Sequence, residues 1–250
     1  MSLINKAIVN GIHLTYYEFG KGQPVLFLHG GRLRATTFRS TLQLLSKQYR
    51  IIAPDIPGYG ESSTPSALWE YRDYAVFFDQ FIKHLKLKNV TIIGYSLGGG
   101  IAYHLASINE DISKLLLFDA SGIEKSSTRP FKRDLNRILY YLTHPQYITT
   151  FLTLSREYGL FLYKHIYNLK HIKLLRKKLE ESSSYTNDIS AQTHIIWGKN
   201  DDIFPVEIAY RLHKSMQNST IQIVDENHDW PIYKSKEFSE LILKKLLPDK

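Results

Sequence analysis

Gly94-Tyr95-Ser96-Leu97-Gly98-Gly99 sets a serine among glycines, directly after an apolar run and before a helical stretch. The spacing G-x-S-x-G suits a sharp strand-to-helix turn that exposes a nucleophilic hydroxyl, with glycine where a flanking Cβ would clash. Ser96 is therefore the candidate nucleophile. The amide of Leu97, at the start of the helix, is a candidate donor to an oxyanion. Leu28-His29-Gly30-Gly31 is a second glycine turn at the end of an earlier apolar run. The N–H of Gly31 is the expected second donor, while His29 reads as a turn histidine bonded to local backbone.

Two later segments supply the groups that could activate Ser96. Asp201 and Asp202 follow the run His194 to Trp197, where a carboxylate at a strand end can accept Nδ1–H from a histidine. One of the two is expected to orient the base and the other to cap the helix starting near Pro205. His228 follows the run Ile221 to Val224 and is the candidate general base. The chain order Ser, Asp, His is one known arrangement of such a triad. The other histidines are scattered, with no H-E-x-x-H and no spacing suited to a metal, so no metal site is expected. A neutral histidine base predicts activity that rises with pH through roughly the 6 to 7 region.

The elements needed to hold these groups are legible in the hydropathy pattern. Val25 to Leu28, Ile51 to Ala53, Val90 to Ile93, Leu115 to Phe118, His194 to Trp197 and Ile221 to Val224 are short apolar runs, as buried parallel strands are. Thr37 to Gln48, Tyr71 to Leu85, Leu97 to Ser107, Val206 to Met216 and about Ser235 to Leu247 carry apolar residues at helical spacing. Alternation of the two predicts an α/β fold with helices on both faces of a parallel sheet. Asn10-Gly11, between Ala7 to Val9 and Ile12 to Tyr17, predicts an antiparallel hairpin at its start.

From about Ile123 to Tyr185 the strand signal disappears, and helical faces are expected over Phe131, Leu135, Ile138, Leu139 and Leu142 and over Tyr158 to Leu179. Residues 1–122 and 191–250 then form the core and 123–190 a helical lid. The aromatics Tyr140, Tyr141, Phe151, Phe161, Tyr163 and Tyr167 are expected to close the lid over a pocket. The formal charge of +8 lies mainly in this segment, which holds 12 Lys and Arg against 6 Asp and Glu. Lys170, Lys173, Arg176, Lys177 and Lys178 read as a solvated helix face.

With the segment Ala53-Pro54-Asp55-Ile56-Pro57-Gly58-Tyr59-Gly60-Glu61-Ser62, which looks like D-x-P-G-x-G-x-S, the sequence resembles the α/β-hydrolase superfamily over essentially its whole length. The resemblance implies a mostly parallel eight-stranded sheet, a lid inserted after strand 6, and no cofactor. It favours Asp201 over Asp202 as the acid, because G-x-x-D-x-x-x-P fits Gly198, Asp201 and Pro205. By position it makes Ser96 the nucleophile, His228 the base, and Leu97 and Gly31 the oxyanion donors. Pro231 departs from the pattern, standing three residues beyond His228 where relatives often have it at two.

At 250 residues, 43% hydrophobic and 22% charged, the composition is that of a globular domain rather than a disordered or fibrous chain. The absence of cysteine excludes disulfides and thiol nucleophiles. With no signal peptide and no run of ~20 apolar residues, a cytoplasmic protein without stable membrane insertion is expected. The expected partner is a small-molecule substrate and not nucleic acid, with monomer and homodimer both open. Hydrolysis of small to medium carboxylic esters through an acyl-enzyme is the leading function. Carbon–carbon hydrolysis of diketo acids, cofactor-free perhydrolysis and a non-catalytic ligand-binding role stand as alternatives.

Overall fold

Alternating apolar positions on each strand explain the layering, because both faces of the sheet are covered. On β3 (Pro24–Leu28) and β5 (Val90–Tyr95), Leu26, Leu28 and Ile92 pack on one side, and Val25, Phe27 and Ile93 on the other. β6 (Ile112–Phe118) and β7 (Gln192–Gly198) repeat this with Leu115, Leu117 and Trp197 against Leu116, Phe118 and Ile196. This is the pattern of strands buried on both faces. The computed structural model describes residues 3–124, 139–186 and 189–247.

β1 (Leu3–Val9) and β2 (Ile12–Phe19) form the expected hairpin, with Val9 opposite Ile12. Asn10 and Gly11 both take positive φ, 48° and 76°, as a tight two-residue hairpin turn requires. β4 (Arg50–Pro54) pairs antiparallel with β2 and parallel with β3, and β8 (Ser219–Val224) closes the far edge. The eight strands run in the order β1-β2-β4-β3-β5-β6-β7-β8, parallel from β4 onward.

One face is covered by α2 (Tyr71–His84), α3 (Leu97–Ala106) and, from the second half of the chain, α6 (Glu207–Ser215), through Phe78, Phe81, Ile101 and Leu212. The other face is covered by α1 (Arg39–Leu45) and α8 (Ser235–Leu246), through Leu42, Phe238 and Ile242. Between β6 and β7 lie α4 (Ile148–Lys164) and α5 (Leu169–Glu181). The single helix expected over Tyr158 to Leu179 is thus two, interrupted at residues 165–168. The helical face expected over Phe131, Leu135 and Ile138 lies outside the described residues.

α4 is tied to the core by polar groups. Glu157, only 4% exposed, accepts from Arg34 Nε at 2.7 Å, and Arg34 also reaches Glu61. Removing Arg34 would leave the buried Glu157 carboxylate with only the exposed Arg156 at 3.7 Å, at a cost of roughly 1 to 3 kcal/mol. The loop after β4 is shaped by Asp55, whose two oxygens accept from Ala35 N–H and Glu61 N–H at 2.8 Å each. A Cβ at Gly60 would lie 2.1 Å from that carboxylate, so the D-x-P-G-x-G-x-S segment needs glycine there for loop shape.

Candidate active site

Ser96 sits between the end of β5 and the start of α3 with φ 52° and ψ −117°, a left-handed conformation strained for any residue with a side chain. The strain is held by its own backbone. Ser96 N–H donates to Phe118 O at 2.9 Å, while Ser96 O accepts from Gly100 N–H at 3.1 Å and from Ser121 N–H at 3.0 Å. Glycine at position 98 is obligatory, because a Cβ there would meet Leu28 O at 2.1 Å. The turn therefore presents the Ser96 hydroxyl at the carboxyl edge of the sheet.

His228 Nε2 lies 3.0 Å from Ser96 Oγ, and His228 Nδ1 lies 2.7 Å from Asp201 Oδ2. Three residues separated by 105 and 27 positions are thus brought into one hydrogen-bonded line. Asp201 also accepts from Ile203 N–H at 2.7 Å and Phe204 N–H at 2.9 Å through Oδ1. The expected division between Asp201 and Asp202 is corrected here: Asp201 faces the histidine with one oxygen and caps its own turn with the other. Burial pulls the imidazole of His228 down, but the charge and hydrogen bond of Asp201, with Asp119 and Asp229 behind, hold it above its ordinary value.

The glycine turn after β3 completes the surroundings. Gly31 packs against Leu97, and both line the cavity that contains Ser96 and His228. His29 donates from Nδ1 to Gly30 O at 2.7 Å and accepts Ile56 N–H on Nε2 at 3.0 Å, the loop-shaping role expected of it. The short helix α7 (Trp230–Tyr233) begins just past His228, with Pro231 in its first turn, where the missing N–H costs nothing.

Asp119, at the end of β6, was not singled out by sequence reasoning. Buried and at φ 46°, it accepts Gly198 N–H at 2.7 Å on Oδ1 and the Trp230 indole N–H at 2.9 Å on Oδ2. It thereby joins the strand end that carries Asp201 to the loop that carries His228. Burial and the neighbouring Asp201 charge push this carboxyl well up, against the imidazole and the two N–H donors. The available signal was a lone Asp directly after the run Leu115 to Phe118. Asp119, Asp201 and His228 place possible ligand atoms within 4.8 Å of one another. Those atoms already hold the amides, the indole and the imidazole just described, a set suited to hydrogen bonding rather than to a cation.

The cavity has a volume of about 190 Å³. From the segment between β6 and β7 it receives Leu154, Arg176 and Leu179, and from the turn after β3 it receives Arg32. The expectation for the aromatics is corrected: Tyr163 and Tyr167 are 78% and 96% exposed, Phe161 stacks on Tyr59, and Tyr141 is buried with its hydroxyl on Asp229. Arg176 likewise lines the cavity rather than belonging wholly to a solvated face. Burial pushes the Tyr59 phenol up, and the positive charges of Arg32 and Arg176 oppose the shift.

Residues 23–128, which span the Asp55 loop, the Ser96 turn and Asp119, match the alpha/beta hydrolase fold family. The chain has the α/β-hydrolase fold. A soluble epoxide hydrolase of Corynebacterium sp. (strain C12) is 27% identical to this chain over 172 residues, covering 67% of the chain and 59% of that relative's length. A meta-cleavage product hydrolase from Pseudomonas fluorescens IP01 superposes with a TM-score of 0.80 at 21% identity, over 96% of each chain. An esterase from Exiguobacterium antarcticum gives 0.74 at 24% identity, over 97% of this chain and 98% of that one. These two likenesses establish the fold of the chain. No helix among its described residues is long and apolar enough to cross a membrane.

Proposed function

We propose that this α/β hydrolase is a serine hydrolase that cleaves small carboxylic esters through an acyl-enzyme. The observation that supports the reading is the line Asp201, His228, Ser96, with hydrogen-bond distances of 2.7 and 3.0 Å and the serine held at positive φ. Ser96 Oγ attacks the carbonyl carbon as His228 Nε2 takes its proton. The amides of Leu97 and Gly31 receive the developing oxyanion. His228 then returns the proton to the leaving alcohol and activates the water that frees the acid. Residues 123–190 act as a lid, supplying Leu154 and Leu179 to the pocket wall.

Carbon–carbon hydrolysis of a diketo acid is the second reading, and the observation that favours it is the pair Arg32 and Arg176 beside the cavity, which suits a substrate carboxylate. The test is a panel of nitrophenyl esters of increasing acyl length run beside a vinylogous diketo acid, with fluorophosphonate labelling of the wild type and Ser96→Ala. Labelling and turnover should both disappear in Ser96→Ala, with a rate loss of about 10⁴ to 10⁶. An unlabelled wild type that is inert to every substrate would reject both readings in favour of ligand binding.

A further inference from the structure

Residues 158–179 contain six Lys or Arg and no Asp or Glu, interleaved with tyrosines and aliphatic residues. The structure sorts this segment into an anchored side and an outward side at the turn between α4 and α5. Facing inward, His165 is buried with Nε2 on Gly58 O at 2.8 Å, Lys164 donates to the carbonyls of Tyr59, Gly60 and Ser62, and Phe161 stacks on Tyr59. Helical geometry then turns the intervening side chains outward. Tyr163, Ile166 and Tyr167 are 78%, 56% and 96% exposed, and Leu169 and Lys170 follow them into solvent at the start of α5.

Scattered exposed apolar residues are ordinary, but four large ones within seven positions on a firmly seated turn are not. We infer that this turn is a docking surface for an anionic lipid bilayer, bound peripherally. Tyrosine rings favour the headgroup region, where one end is apolar and the other wet. Lysines flanking an apolar tip add attraction to acidic headgroups. Arg176, Lys177 and Lys178 pair with Glu180, Glu181 and Glu70, while the exposed Lys170 and Lys173 flank the apolar tip. A second copy of the chain suits the surface less well, because a two-fold contact would set these lysines of one copy against those of the other. α5 also supplies Arg176 and Leu179 to the cavity, so docking and substrate access share one helix.

The test measures partitioning of the full chain onto phosphatidylcholine vesicles with and without phosphatidylserine, at low and high salt and without substrate, so that its outcome is independent of Ser96 chemistry. Binding should require phosphatidylserine and weaken at high salt. K170Q/K173Q should weaken it by at least about tenfold, and Y163S/I166S/Y167S should weaken it as well. Both variants change exposed side chains, and an unchanged circular dichroism spectrum would confirm that they fold. No partitioning onto acidic vesicles, or equal partitioning onto neutral ones, would overturn the inference. So would a lipid-free dimer that Y163S/I166S/Y167S dissociates, which would assign the surface to a second copy.

Discussion

The indole N–H of Trp230 donates to Asp119 Oδ2 at 2.9 Å, two residues beyond the histidine that faces Ser96. Because the other oxygen of Asp119 holds Gly198 N–H, one carboxyl sets the spacing between the Asp201 turn and the His228 loop. Asp119→Asn keeps the shape but turns an amide N–H₂ toward one of two buried donors. Stability should fall by roughly 1 to 3 kcal/mol, and kcat by about tenfold or more, with KM little changed because Asp119 does not line the cavity. Urea unfolding and steady-state kinetics check this, and an unchanged kcat would reduce Asp119 to a purely structural group.

Asp201→Asn should be far more damaging than Asp202→Asn. Asn at 201 can satisfy the amides of Ile203 and Phe204 only by presenting N–H₂ to His228 Nδ1, which forces the proton onto Nε2, where it faces Ser96. The expected loss in kcat is roughly two to four orders of magnitude, against little change for Asp202→Asn. Equal effects of the two substitutions would show that the Asp201 contact is not what orients the base.

The pH profile of kcat/KM should rise through a midpoint above 6.5. Only neutral His228 can take the Ser96 proton, and its folded value is raised by Asp201, Asp119 and Asp229 despite burial. Activity is therefore low below that value and climbs as pH passes it. The unperturbed range of roughly 6 to 7 expected from sequence alone is thus displaced upward. A midpoint below 6.5 would mean that burial outweighs the carboxylates.

His29 should make the fold acid-sensitive. Burial lowers its pKa from 6.5 to about 4, opposed by the Gly30 carbonyl and aided by Arg34. The unfolded chain therefore takes up this proton first as pH falls. Stability from this group is complete above 6.5, declines between 6.5 and 4, and levels off below. The full loss is about 3 kcal/mol by pH 4. His29→Gln should show a shallower decline in urea-unfolding stability across that window, leaving the contributions of His104 and His165, which burial also lowers. Parallel slopes for the two proteins would contradict the assignment.

The sequence by itself determined the local layer of this protein. Continuous apolar runs placed the strands, Asn10-Gly11 placed the hairpin, and G-x-S-x-G placed Ser96 on its turn, because hydropathy period and glycine need are properties of neighbouring residues. Aspartates and a histidine at strand ends marked Asp201 or Asp202, and His228, for the same reason, and the family resemblance favoured Asp201 of the two. Only the tertiary structure decided what meets across the sheet edge. Asp119 gained its place from two partners 79 and 111 residues away, and Asp201 its second role from the shape of its own turn. Helical spacing over Tyr158 to Leu179 fixed which residues share a face but not which face meets the core. A break at residues 165–168 and the inward pull of Lys164 and His165 settled that, sending Arg176 toward the cavity and Tyr163 and Tyr167 to solvent.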